Sequence, residues 1–142
     1  MPSIFTRIIR REIPCHEIYS DALVVAFLDI APLSRGHALV VPVEEREFLH
    51  ELSDESAAAL GRALSRVARA VLAATGATAY NILQNNGSAA NQAVPHVHFH
   101  IIPKYAEDTA GGSGLEIRWK TQQLPSSDAA LLAASIREHL GE

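Results

Sequence analysis

Imidazole and apolar side chains alternate through His96-Val97-His98-Phe99-His100-Ile101, and Ile102 follows. Alternation is the period of a β-strand, so the three histidines share one face while Val97, Phe99 and Ile101 share the other. One face is suited to a core and the other to chemistry. With a rise of ~3.3 Å per residue, neighbouring histidines stand roughly 6.6 Å apart at Cα, near enough to surround one small anionic or metal centre. A lone histidine on a strand is ordinarily structural, whereas three of the chain's seven within five residues mark a site.

The flanking sequence supplies an α+β frame. Val24-Val25-Ala26-Phe27-Leu28, bounded by Asp21 and by Asp29 with Pro32, reads as a buried strand. Gly36-His37 opens a second apolar run, Ala38-Leu39-Val40-Val41, stopped by Pro42, and the short loop between the two runs predicts an antiparallel pair. From Ser53 the period changes. Ser53 or Asp54 caps a long helix in which Leu60, Leu64, Val67 and Val71 recur at helical spacing until Gly76. Ala79 to Leu83 reads as a third strand, and Asn85-Asn86-Gly87-Ser88 as a turn leading by a loop to Pro95. Gly111-Gly112-Ser113-Gly114 is too rich in glycine for regular structure and is expected to be mobile. A last helix is expected over about 127–140, with Leu131, Leu132, Ile136 and Leu140 docking it on the core. The 142 residues suit one domain with a mainly antiparallel sheet, one long central helix and a C-terminal helix.

Composition narrows the functions. A chain that is 48% hydrophobic and 20% charged belongs with soluble globular proteins. Its net charge of −4 argues against a broad basic nucleic-acid surface but leaves room for a single nucleotide in a pocket. No apolar run approaches the roughly 20 residues that cross a bilayer, and no membrane partner is expected. Cys15 is alone, which excludes an intramolecular disulfide and makes a reducing, cytoplasmic setting the expectation.

Two chemistries use three imidazoles on a strand face. Neutral imidazoles can bind a metal such as zinc, or one can attack phosphorus while its neighbours stabilise oxyanions and move protons. The alternation does not separate them, but the surroundings do. No Asp or Glu lies between Tyr80 and Lys104, where a metal site would find its outer carboxylates. The preceding segment, Asn85 to Gln92, instead offers amides, a hydroxyl and backbone N–H groups suited to phosphate oxygens.

These residues resemble the histidine triad (HIT) family of nucleotide-binding hydrolases and transferases, whose signature is the His96 to Ile102 pattern. Phe27-Leu28-Asp29-Ile30-Ala31-Pro32 with Gly36 to Pro42 is similar to the family's nucleoside-binding half, and Ile4-Phe5 through Arg11-Glu12-Ile13-Pro14 to its N-terminal segment. The resemblance spans about residues 4–104 and is nearest the Hint branch, which hydrolyses purine nucleoside phosphoramidates. It implies a HIT-like fold, a homodimer formed by extending the sheet across a two-fold axis, and no cofactor. By the same resemblance His98 is the nucleophile, His96 and His100 orient it and assist the phosphate oxygens or leaving group, and His37 completes the set. Asn85, Asn91, Gln92 and Ala93 correspond to the phosphate loop, and Asp29 to the acid that takes the ribose hydroxyls. Phe5, Ile8, Ile13, Phe27 and Ile30 correspond to the apolar slot for the base.

The chain also departs from the family. Asn91 stands where glycine is usual, although asparagine tolerates positive φ better than most residues. Ala93 stands where the best-known Hint members carry a serine, so no hydroxyl meets the phosphate or leaving group there. Ser3 and Thr6 replace the cysteines of a structural zinc site found in some bacterial members, and Val43-Glu44-Glu45-Arg46 follows Pro42 where a histidine ligand would stand. Three other functions compete with the phosphoramidase: a dinucleoside polyphosphate hydrolase of the Fhit branch, a metal-dependent hydrolase ligated by His37, His96, His98 and His100, and a slow nucleotide-binding sensor or scaffold.

Overall fold

The computed structural model describes residues 1–106 and 111–141. Among these residues five strands, β1 (Glu17–Ser20), β2 (Val24–Leu28), β3 (Ala38–Pro42), β4 (Ala79–Gln84) and β5 (Phe99–Lys104), form a sheet in the order β1-β2-β3-β5-β4. Each neighbouring pair is antiparallel. Among the described residues three α-helices accompany the sheet: α1 (Ile4–Ile9), α2 (Asp54–Thr75) and α3 (Ser126–His139). The α+β frame with a long central helix is therefore present. Among the described residues no helix is long and apolar enough to cross a membrane.

The two sheet faces have different covers. On one lies α2, started by Ser53, whose side chain accepts the Ser56 N–H, with Asp54 and Glu55 at the electropositive end of the helix. Its stripe of Leu60, Ala63, Val67 and Val71 is buried against Val24, Ala26, Ala38, Val40, Val97 and Ile101. Over the other face lies α1, where Phe5 packs with Val25, Phe27, Leu39 and Val41. Since β2 and β3 are buried on both faces, they read in sequence as unbroken apolar runs rather than alternating ones.

Several expectations need correction. The histidine strand starts at Phe99, not His96, because the chain bends at 94–96 and the Val97 N–H donates to the Arg46 carbonyl at 2.8 Å. The two-face alternation survives the bend: Val97 and Ile101 enter the α2 core, while the His98 ring meets Phe5 of α1. Strand β1 and helix α1 escaped the sequence reading; one has four residues and lies at the sheet edge, the other has six and buries only Phe5. Helix α3 forms but does not dock on the core, for none of its residues is buried and Leu131 is 73% exposed. The arm of residues 115–125 that precedes it has no regular structure. The glycine segment is irregular but fastened rather than loose: the Arg35 N–H donates to the Gly111 carbonyl at 2.6 Å and the Tyr105 N–H to that of Ser113 at 3.2 Å.

Candidate active site

The site is assembled from three places in the chain. In the loop between β2 and β3, Asp29 closes its own turn by accepting the Ala31 N–H at 2.8 Å. Gly36 then adopts φ +91°, and a Cβ there would stand 2.8 Å from Thr75 Cγ2. Only glycine passes that point without displacing the end of α2, and the passage delivers His37 to the face of β3 covered by α1. Strand β5 places His100 opposite Leu39 of β3 and Leu83 of β4. Helix α1 lays the Phe5 ring edge-on to His98, centroids 4.9 Å apart, and the rings of His98 and His100 are 5.1 Å apart.

Hydrogen-bond partners assign the protons of all four imidazoles. The Leu33 N–H donates to His37 Nδ1 at 3.0 Å, so the proton of neutral His37 is on Nε2. That nitrogen is 2.9 Å from His100 Nδ1, which must accept, and the His100 proton is left on Nε2. In His98, Nδ1 is 2.7 Å from the His96 carbonyl and must donate to it, so Nε2 keeps an unprotonated lone pair. His96 Nε2 donates to the Pro42 carbonyl at 2.8 Å, while Nδ1, 2.6 Å from the Ser3 hydroxyl, accepts. Burial lowers the pKa of all four, so the neutral forms on which this order depends persist. His100 is lowered to about 4, by burial first and then by the neighbouring His98 and His37.

A cleft of about 330 Å³ opens beside these rings, and His98 and His100 both line it. The five apolar residues expected to form the base slot, Phe5, Ile8, Ile13, Phe27 and Ile30, all line it too, together with Asp29 and Ala93. Ile4, Pro14, Cys15, Leu28, Leu39 and Val94 complete the wall and were not foreseen, although Ile4, Pro14, Leu28 and Val94 adjoin residues that were. Burial raises the pKa of the Cys15 thiol.

Other expected site residues lie elsewhere. His96 is 0% exposed and takes no part in the cleft wall; both its nitrogens are spent on Ser3 and Pro42. Three imidazoles around one centre is therefore not the arrangement found. Gln92 braces its loop, accepting the Gly87 N–H at 2.7 Å and donating to the Glu47 carbonyl at 2.7 Å and that of Val94 at 3.1 Å. Asn85 donates to the Asn91 carbonyl at 3.4 Å. Asn91 adopts φ 68°, the left-handed conformation for which glycine is usual.

The acids absent from the neighbouring sequence arrive through the fold. Asp29 Oδ2 is 3.5 Å from His37 Nε2, and Glu45 Oε1 is 3.9 Å from His96 Nδ1. Asp29, His37 and His100 bring their ligand atoms within 4.8 Å of one another, a set that could hold a metal ion. The four-histidine ligand set is not assembled: His96 spends Nε2 on the Pro42 carbonyl and Nδ1 on the Ser3 hydroxyl, and His98 spends Nδ1 on the His96 carbonyl.

A histidine with a locked Nδ1–H and a free Nε2, on a five-stranded sheet with a relayed histidine pair beside it, is the setting in which the chain meets known proteins. The family pattern described as HIT domain matches residues 10–107. The chain belongs to the HIT family. This HIT protein is 44% identical over 136 residues to adenosine 5'-monophosphoramidase hnt1 of Schizosaccharomyces pombe, with 96% of each chain covered. It is 36% identical over 137 residues to adenylylsulfatase HINT3 of Arabidopsis thaliana, covering 96% of this chain and 68% of that one. Its fold superposes on a HIT family protein from Bacillus subtilis with a TM-score of 0.91 at 36% identity, covering 100% of this chain and 99% of the other.

Proposed function

We propose that this HIT protein hydrolyses purine nucleoside phosphoramidates at the α-phosphate through a nucleotidyl-His98 intermediate. The observation that carries the reading is the state of His98: the lone pair of Nε2 is free while Nδ1–H is held on the His96 carbonyl at 2.7 Å. His98 Nε2 attacks phosphorus, the P–N bond to the leaving amine breaks, and the amine departs with a proton. That proton comes from solvent, since both rings are neutral: His100, which lines the cleft, presents its Nε2–H to the leaving nitrogen while its Nδ1 accepts the His37 Nε2–H across the 2.9 Å contact, and so orients the departing group. Water then cleaves the P–N bond to His98, giving the nucleoside monophosphate and regenerating the imidazole. Asp29 at the cleft wall takes the ribose hydroxyls through the oxygen not spent on its own turn, and the apolar slot takes the base. His96 contributes by holding the carbonyl that orients His98.

Relatives named for adenosine phosphoramidate and adenylylsulfate share an adenylyl group with different leaving groups. This pattern supports chemistry centred on the α-phosphate, with the leaving group served by a general donor rather than by a dedicated hydroxyl, in keeping with Ala93. The proposal includes a homodimer and a cytoplasmic location. Supporting the dimer, β4 is an open sheet edge with Tyr80 and Ile82 42% and 44% exposed.

His98→Asn tests the reading. Turnover of adenosine 5'-phosphoramidate in excess chelator is expected to vanish while nucleotide affinity stays within about tenfold, because a bond-forming step is lost but ground-state contacts remain. Wild-type protein quenched in alkali after mixing with labelled substrate should carry an acid-labile phosphoramidate on His98. Substantial turnover by the variant, or the same adduct recovered from it, would overturn the assignment.

A further inference from the structure

The nucleophile's orientation rests on a backbone carbonyl, and that carbonyl is held from outside the histidine segment. The peptide between His96 and Val97 is fixed by the loop that follows β3: the His96 ring donates to the Pro42 carbonyl at 2.8 Å and the Val97 N–H to that of Arg46 at 2.8 Å. Between those two anchors sits Glu45. Its Oε1 accepts the Ser3 N–H at 2.8 Å and the Thr6 hydroxyl, tying the first turn of α1 to the same loop. The Thr6 hydroxyl gives up the largest share of the lowering of the Glu45 pKa, so the carboxylate stays charged.

One proton order satisfies the whole cluster. Ser3 Oγ accepts the Thr6 N–H at 3.0 Å, and its own proton goes to His96 Nδ1 at 2.6 Å rather than to Thr6 Oγ1 at 3.4 Å. With Nδ1 accepting, the His96 proton stays on Nε2 for the Pro42 carbonyl. Without Glu45, the Thr6 hydroxyl is free to donate to Ser3 Oγ, and the first turn of α1, which carries Phe5 against the His98 ring, loses its tie.

We infer that Glu45, acting through Ser3 and Thr6, is a positioning residue for His98. It touches no part of the cleft. This rests on His98 being the nucleophile, and the test separates the two. Glu45 is 38% exposed, so its variants are expected to fold. Glu45→Ala should lower kcat for adenosine 5'-phosphoramidate about 10- to 100-fold with KM changed less than threefold, the scale of a small misplacement of a reacting group. Glu45→Gln keeps an acceptor for both donors and should recover most of the turnover. Thr6→Val, which deletes only the hydroxyl, should fall between them. In the ring N–H region of the proton spectrum, the slowly exchanging Nδ1–H of His98 should be present in wild type and Glu45→Gln and exchange rapidly in Glu45→Ala. Unchanged kcat and an unchanged His98 ring proton in Glu45→Ala would overturn the inference, as would equal losses in the Ala and Gln variants. Turnover by His98→Asn, by contrast, would overturn the nucleophile itself whatever the Glu45 variants do.

Discussion

At the scale of the residue, this site keeps imidazoles neutral by burying them, and that carries a cost in acid. Each ring would take a proton near its ordinary 6.5 once unfolded, whereas in the folded chain burial pushes the value down, to about 4 for His100. Between those values the unfolded state binds more protons, so stability rises with pH and is lost as pH falls from 6.5 toward 4. From about one pH unit above 6.5 neither state binds and the curve is flat. Glu44, lowered to about 2 by the hydroxyls of Ser56 and Ser53, adds its own loss only below its ordinary 4.5. The interval from about pH 6.5 to 5 therefore reads the histidines. Urea midpoints are expected to decline across it, and His100→Asn should flatten part of the slope; a wild-type midpoint independent of pH there would contradict neutral burial. Which rings pair with which was only partly legible in the sequence. The alternation put His98 and His100 on one face, and the tolerance of asparagine for positive φ anticipated Asn91 at 68°. The inward role of His96 was hidden because its partners, Ser3 and Pro42, lie 93 and 54 residues away along the chain.

At the scale of the element, legibility followed length and the source of stability. Helix α2 declares itself through its cap, its stripe and its terminal glycine, all local signals. Strand β1 and helix α1 are too short to declare anything, and tertiary contacts hold them. The segment Gly111–Gly114 shows the converse, where composition suggested looseness and the fold uses it as a strap. It lies against the end of β5 and the loop carrying His37, taking the Arg35 N–H on Gly111 at 2.6 Å and the Tyr105 N–H on Ser113 at 3.2 Å, where Ser34 Oγ also donates to the Pro103 carbonyl at 2.6 Å and the Tyr105 hydroxyl to that of Arg35 at 2.8 Å. Gly114 has φ +99°, and a Cβ there would stand 2.5 Å from the Pro103 oxygen. Gly114→Ala must therefore shift backbone, and both the strain and the displaced strap should cost about 1–3 kcal/mol. The expected readout is a lower urea midpoint together with weaker phosphoramidase activity, since the Leu33 N–H that sets the His37 tautomer belongs to the strapped loop. A variant as stable and active as wild type would show that the strap yields freely and does not brace the histidine pair.

At the scale of the whole molecule, the C-terminal region poses the remaining question. Leu132 and Ile136 on α3 and Leu140 at its C-cap recur every four residues and are 54%, 55% and 72% exposed; in the arm before it Trp119 is 84% exposed. An isolated 14-residue helix is marginal in water, and its leucines gain nothing from solvent, so α3 needs a cover that the described residues do not supply. The sequence indicated the apolar positions of this helix but not what they face, because periodicity marks a stripe and says nothing of its partner. A second copy of the chain is the cover consistent with the proposed homodimer, whose open β4 edge offers a further contact. If so, folding and association are linked, and the thermal midpoint should rise with protein concentration. Leu132→Asp combined with Ile136→Asp would place two charges on the covered stripe. The double variant is expected to sediment as a lighter species or dissociate at higher concentration than wild type, with a lower thermal midpoint that no longer tracks concentration. A variant that keeps the wild-type mass and midpoint would show that α3 takes no part in the proposed association.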